Sequence, residues 1–201
     1  MNSIVSIMGY HGTCSKFKES IENNGLDPDK VKYRENHWLG QGVYFFEDYS
    51  QAKWWANDTS GKSYNAGSFP LIYKSNIEAE GNKILNLDDN NEVDKFFSCI
   101  LRYISEIESD LRGRYPIFTP ENFRAVYFDY YKIQNNISVI IYTFPKDSVK
   151  YASLRNWKDL KIQRDLARAL GIYYGEKQIC VSKKECITSS VLVYNGEDEV
   201  I

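Results

Sequence analysis

The chain has few of the residues that staple a fold or hold a metal: four cysteines and two histidines in 201 residues. No two of Cys14, Cys99, Cys180 and Cys186 form a Cys-x-x-Cys pair. A structural zinc needs four convergent thiolate or imidazole ligands, so no metal is expected. The thiols read as reduced, packed cysteines of a cytoplasmic protein. No segment is apolar over the roughly 20 residues that a membrane helix needs. Met1–Tyr10 has neither a basic stretch nor a long apolar run, so no signal peptide and no membrane partner are expected. A net charge of −2 and a pI near 5.8 exclude a basic field spread over the whole molecule. There is no internal repeat, low-complexity stretch or linker, and residues 1–201 read as a single domain.

The content fits an ordinary globular core, with 43% hydrophobic residues. The 16 tyrosines suit planar ligands and a tyrosine-rich β core equally well. Charge is uneven. Lys146, Lys150, Arg155, Lys158, Lys161, Arg164 and Arg168 face only Asp147, Asp159 and Asp165 in the same stretch.

Strands are predicted at 3–10, 43–46, 69–77, 137–144, 177–181 and 190–194. Helices are predicted at 15–24, closed by Gly25, and at 49–56 and 92–109. Two more are expected from Pro120 to near Lys132 and over 157–170, the last closed by Gly171. Strands and helices alternate without regular βαβ spacing, which indicates an α+β fold.

Three short pieces could carry chemistry. Tyr10-His11-Gly12-Thr13 ends the first predicted strand; glycine there lets a ligand approach the backbone, and His11 can donate to a ribose hydroxyl. The same residues suit a strand end with a packed histidine. Gly40-Gln41-Gly42-Val43-Tyr44-Phe45-Phe46 is a tight turn into an aromatic strand, followed by a helix with Trp54 and Trp55. Tyr44 and one tryptophan could sandwich a flat cationic ring, an attraction of about 2 kcal/mol when dry. They suit strand-on-helix core packing as well. In Glu176-Lys177-Gln178, alternation puts Glu176 and Gln178 on one strand face, and an exposed polar face is the plain alternative.

In this order and approximate spacing the pieces resemble the ADP-ribosyltransferase superfamily. The match is closest to the His-Tyr-Glu branch of diphtheria-type toxins and poly(ADP-ribose) polymerases. The resemblance implies a split β-sandwich, two packed sheets flanked by helices, with NAD as co-substrate in the cleft. It implies that His11 holds the adenosine ribose with help from Thr13, that the Gly12 backbone binds the nicotinamide amide, and that Tyr44 stacks on the nicotinamide. Trp55 falls where the family has a second stacking aromatic. Gln178 stands at the catalytic glutamate position, and Glu176 two residues earlier, where some toxins carry a residue that orients the acceptor.

Two residues depart from the pattern. Ala52 replaces a serine that bonds the nicotinamide amide in polymerases. Gln178 brings no charge to the developing cation, so the resemblance implies transfer of a single ADP-ribose, with Glu176 supplying charge or base function. A small transferase of this kind resembles the toxin of a bacterial toxin–antitoxin or phage-defence system. RNA is the expected acceptor, with protein the alternative, because Lys161, Arg164 and Arg168 fall at i, i+3 and i+7 on one helix face, where they suit phosphates or an acidic antitoxin. Tyr173 and Tyr174 beyond them suit an unpaired base. The competing readings are an NAD-dependent RNA 2′-phosphotransferase, a non-catalytic module binding NAD or RNA, and a structural domain.

Overall fold

A computed structural model describes residues 3–114, 119–146, 157–171 and 173–199; Asp147, Lys150 and Arg155 of the basic stretch lie outside them. In chain order the elements are β1 (Ile4–Cys14), α1 (Lys18–Asn24), β2 (Val43–Phe46), α2 (Tyr49–Ser60), β3 (Pro70–Glu80) and β4 (Ile84–Asn86). Then follow α3 (Asn90–Arg114), α4 (Arg124–Asn135), β5 (Val139–Lys146), α5 (Trp157–Leu170), β6 (Tyr174–Val181) and β7 (Ile187–Asn195).

Local chemistry accounts for several boundaries. Gly25 takes φ 69° at the end of α1, and Asn136 takes the left-handed conformation that stops α4. Asp48 caps α2 by accepting from the Ser50 N–H. Two expectations need correction. His11-Gly12-Thr13 lies inside β1, not past its end, because pairing with β3 continues to Cys14 opposite Pro70. The three-residue β4, too short to show a period, is an additional strand and forms the parallel pair with β5.

The strands make one seven-stranded sheet in the order β4-β5-β6-β2-β1-β3-β7, an α+β architecture. The expectation of two separate sheets is corrected by a single residue pair. β1 pairs with β3 along its whole length but with β2 only at Tyr10 and Phe46, and this contact joins the halves β4-β5-β6-β2 and β1-β3-β7.

Alternation along the strands sorts the core. Phe45, Val139, Ile141, Ile179 and Val181 face one way, with Leu71, Tyr73 and Ile77 of β3. Ile140 and Cys180 face the other way, under Phe96, Ile100 and Ile107 of α3 and Tyr131 of α4. On that same side α2 seats Ala52 and Ala56 against Phe46 and Ile72. No described helix is long and apolar enough to cross a membrane.

Candidate functional site

The seam between β1 and β2 is set by backbone phase. Ser15 N–H donates to Phe69 O at 2.9 Å, so odd-numbered residues of β1 bond β3 and even ones turn their peptide groups toward β2. Glu47 N–H donates to Lys177 O at 3.2 Å, so Tyr44 and Phe46 in turn face β1. Past the Tyr10–Phe46 pair the two strands carry no further register among the described residues, and the Gly12 peptide points into the gap.

His11 spans this gap. Its Nδ1 lies 2.9 Å from the Tyr44 carbonyl oxygen. A carbonyl only accepts, so Nδ1 carries the hydrogen. Burial holds the imidazole below its ordinary pKa, so the ring is neutral and Nε2 presents a lone pair. His11 therefore offers an acceptor, not the donor expected from sequence. Its ring lies 5.8 Å from Phe45, whereas Tyr44 leaves β2 on the opposite face; the two motifs meet through the Tyr44 carbonyl. Thr13, on the His11 side of β1, is buried. Gly12 has a packing reason to be glycine. A Cβ there would press into the Ala52 carbonyl oxygen and stand 3.1 Å from the Ala56 nitrogen, so only glycine lets α2 cross β1 this closely.

Tyr44 is held at both ends. Its hydroxyl accepts from Leu39 N–H and donates to Gly40 O, each at 2.7 Å. Burial pushes its phenol far up, which keeps it a neutral donor. The turn that it grips is itself clamped from α4. Asp129 accepts from Gln41 N–H at 2.8 Å, and Lys132, 7% exposed, donates to Gln41 O at 2.7 Å and pairs with Asp129 at 3.1 Å. Gly40, at φ 82°, leaves room for this pair, since its Cβ would lie 2.7 Å from Lys132 Nζ. His37 sits over the same turn, its ring 5.7 Å from that of Tyr44, and burial, then the Arg34 charge, lowers its pKa.

On β6, Gln178 lies opposite Phe46 of β2, and Gln178 Nε2 donates to Glu176 Oε1 at 2.7 Å. A carboxylate only accepts, which fixes the amide orientation and turns Gln178 Oε1 outward from that bond as an acceptor. Lys146 Nζ, at 3.5 Å, shares the same Glu176 oxygen. Gln51, buried in α2, donates to Gly175 O at 3.1 Å and ties α2 to the strand just before Glu176.

The fold thus brings His11, Gly12, Tyr44, Glu176 and Gln178 onto the neighbouring strands β1, β2 and β6. Trp55 is 43% exposed and packs against Phe46 and Trp54, two residues along β2 from Tyr44. Lys161, Arg164 and Arg168 are exposed on one face of α5, and Ile162, Leu166 and Leu170 are exposed on another face of the same helix. Sequence reasoning missed His37, Trp38, Asp129 and Lys132. A Lys–Asp spacing of three on a helix is a common surface pair; nothing in it signals the turn 91 residues away. No group of three or more histidine, cysteine or carboxylate side chains placed to hold a metal occurs among the described residues.

Comparison with known proteins adds little to this geometry. No family model matches the chain, and no solved structure matches it. The chain is similar to an uncharacterized protein of Methanocaldococcus jannaschii, 34% identical over 89 residues, a stretch covering 43% of this chain and 40% of that protein.

Proposed function

We propose that the protein is an NAD-dependent mono-ADP-ribosyltransferase that acts on a macromolecular acceptor, RNA in preference to protein, as a toxin-like effector. One observation carries the reading. The His-Gly-Thr, Gly-x-Gly-Val-Tyr-Phe and Glu-x-Gln pieces, distant in sequence, come together at a seam where the sheet opens and His11 bonds the Tyr44 backbone.

The chemistry assigned to each group follows from its donors and acceptors. The His11 Nε2 lone pair accepts from a ribose hydroxyl, and the Gly12 peptide, turned into the gap, pairs with the nicotinamide amide. Tyr44, pinned through its hydroxyl, offers a ring that cannot swing away. Cleavage breaks the bond between C1′ of the ribose and the nicotinamide nitrogen, whose electron pair departs with nicotinamide and leaves oxocarbenium character on the sugar. Gln178 Oε1 accepts from the 2′-hydroxyl, and the Glu176 carboxylate lies beside it as a fixed negative charge. The acceptor nucleophile then bonds C1′, and its proton passes to Glu176, since an amide cannot take one at neutral pH.

Glu176 also explains the glutamine. A second carboxylate within 2.7 Å of the first would force the two to share a proton, whereas the Gln178 amide bonds Glu176 at neutral pH.

Release of nicotinamide and transfer of labelled ADP-ribose from NAD to RNA or protein test the proposal. Glu176→Ala should lose transfer at least as severely as Gln178→Ala. His11→Ala and Tyr44→Ala should lose it by roughly a hundredfold or more, as misplaced contacts to the reacting group do. Parent protein that neither binds NAD nor releases nicotinamide in the presence of either acceptor would rule the reading out.

A further inference from the structure

Beside Glu176 lies a second cluster that the NAD contacts do not use. Trp38, at the end of the loop before the Gly40 turn, is 41% exposed. Lys146 Nζ and Arg124 Cζ each stand 4.5 Å from its ring centroid. Phe144 meets the ring edge-on at 4.7 Å and holds it upright. The loop is tied to the start of α4 by Ala125 N–H donating to Glu35 O at 2.8 Å, which keeps Arg124 beside Trp38. Lys146 also reaches Glu176 at 3.5 Å, so the cluster adjoins the base of the proposed reaction.

Two like charges on one indole repel each other unless an anion completes the group. The aromatic face offsets part of that cost, as cation–π contacts do. Within the cluster Glu176 supplies one negative charge, and it already accepts from Gln178 at 2.7 Å. Among the described residues Lys146 pairs with the Glu176 carboxylate, and Arg124 Nε donates to the Glu121 carbonyl oxygen at 3.1 Å, a neutral acceptor; a phosphodiester would supply a second anion to the two cations. Both cations are anchored on an aromatic ring, so little side-chain entropy is lost when a phosphate binds.

We propose that the Arg124–Trp38–Lys146 cluster is the acceptor subsite, binding a backbone phosphate of a single-stranded nucleic acid and presenting the adjoining nucleotide to Glu176. This rests on the transferase reading and supplies its acceptor class. It differs from the expectation that the α5 cations, with Tyr173 and Tyr174 beyond them, hold the acceptor. The NAD pyrophosphate carries the same chemistry, and a protein acceptor is the competing class.

The test uses the full chain, a fluorescein-labelled single-stranded decauridylate read by anisotropy from 50 to 300 mM salt, and NAD read by calorimetry. Each phosphate contact contributes about 0.7 to the slope of log affinity against log salt for single strands. Arg124→Gln and Lys146→Gln should each lower that slope by about 0.7. Trp38→Ala should weaken binding at least tenfold, and Trp38→Phe, which keeps an aromatic face, should retain most of it. NAD affinity of Arg124→Gln and Trp38→Ala should stay at the parent value. An unchanged slope in both charge variants overturns the assignment. Parallel losses of NAD and oligonucleotide affinity also overturn it, and give the cluster to the pyrophosphate. Labelling of proteins by a parent chain that does not bind the oligonucleotide overturns it too, while leaving the transferase intact. Oligonucleotide binding that is lost in the variants of a chain with no affinity for NAD would instead keep the cluster and end the transferase reading.

Discussion

Gly12→Ala tests whether the glycine of the first motif is demanded by the helix that crosses it. The added methyl group would press into the Ala52 carbonyl oxygen and stand 3.1 Å from the Ala56 nitrogen, both backbone atoms of α2. Backbone cannot rotate aside as a side chain can, so α2 must retreat by roughly 1 Å to restore ordinary contact. Ala52 and Ala56 are fully buried against Phe46 and Ile72, and that packing loosens as the helix moves. Overpacking of this kind costs about 1–3 kcal/mol, and the stiff neighbours put this case near the upper end. The alanine recovers about 0.5 kcal/mol by restricting the unfolded chain. A net loss of about 2 kcal/mol corresponds to a melting point lower by roughly 4–8 °C for a chain of this size. Gly113→Ala is the control: it lies within α3 with nothing within 4 Å of its Cβ, and it should gain up to about 1 kcal/mol from helix propensity. Calorimetry of the two variants settles the matter. If Gly12→Ala melts within a degree of the parent, α2 does not cross β1 as described.

Tyr44→Phe removes the hydroxyl shared by Leu39 N–H and Gly40 O but keeps the ring; chemical denaturation should show a loss of about 2 kcal/mol, with NAD affinity falling far less than in Tyr44→Ala. Lys132→Met leaves the Asp129 carboxylate without its ammonium partner and should cost about 3 kcal/mol, part of which Asp129→Asn added to it restores. His11 and His37 both have depressed folded-state pKa values. The unfolded chain therefore takes up their protons first, and stability present above pH 6.5 is lost as pH falls below it, by up to about 1.4 kcal/mol per pH unit for each proton; a His11→Asn variant whose unfolding free energy falls as steeply between pH 6.5 and 5 as the parent's would contradict this. Gln178→Glu sets two carboxylates where an amide now bonds Glu176 at 2.7 Å. The shared proton raises one pKa above its unfolded value, so the variant should match the parent near pH 4 and lose stability relative to it as pH rises toward 8.

Strong local signals were legible in the sequence. The bounds of β2 and α5 match the residues expected, because Gly42 precedes an unbroken aromatic run in one and Gly171 closes an amphipathic helix in the other. Glu176 and Gln178 were placed on one face by strand period alone, and they meet there. What the residues could not show was distance. The pairing that extends β1 to Cys14 depends on Pro70, and the clamp on Gly40 comes from α4. The direction of the His11 hydrogen bond depends on which neighbouring strand the Tyr44 carbonyl points toward, a matter of sheet register. Trp38 was passed over because a lone tryptophan before a glycine turn has no period; its meaning comes from Arg124 and Lys146, which fold toward it from other elements.

The strand order has a kinetic consequence. Among the described residues no paired strands are joined by a tight turn; the shortest closure, Lys146 to Tyr174, spans 28 residues, and β2 meets β6 across more than 130. Such a sheet cannot zip up from a hairpin, and folds dominated by non-local pairs form in milliseconds to seconds, not microseconds. β6 is an interior strand of the sheet, between β5 and β2, and it begins 128 residues after β2 ends. Gln178 and Glu176 therefore reach Phe46 and Lys146 only when β6 inserts between two strands that precede it in the chain. On the ribosome the nascent chain carries the first two motifs without the third until β6 emerges, and whatever the assembled seam does begins only after that.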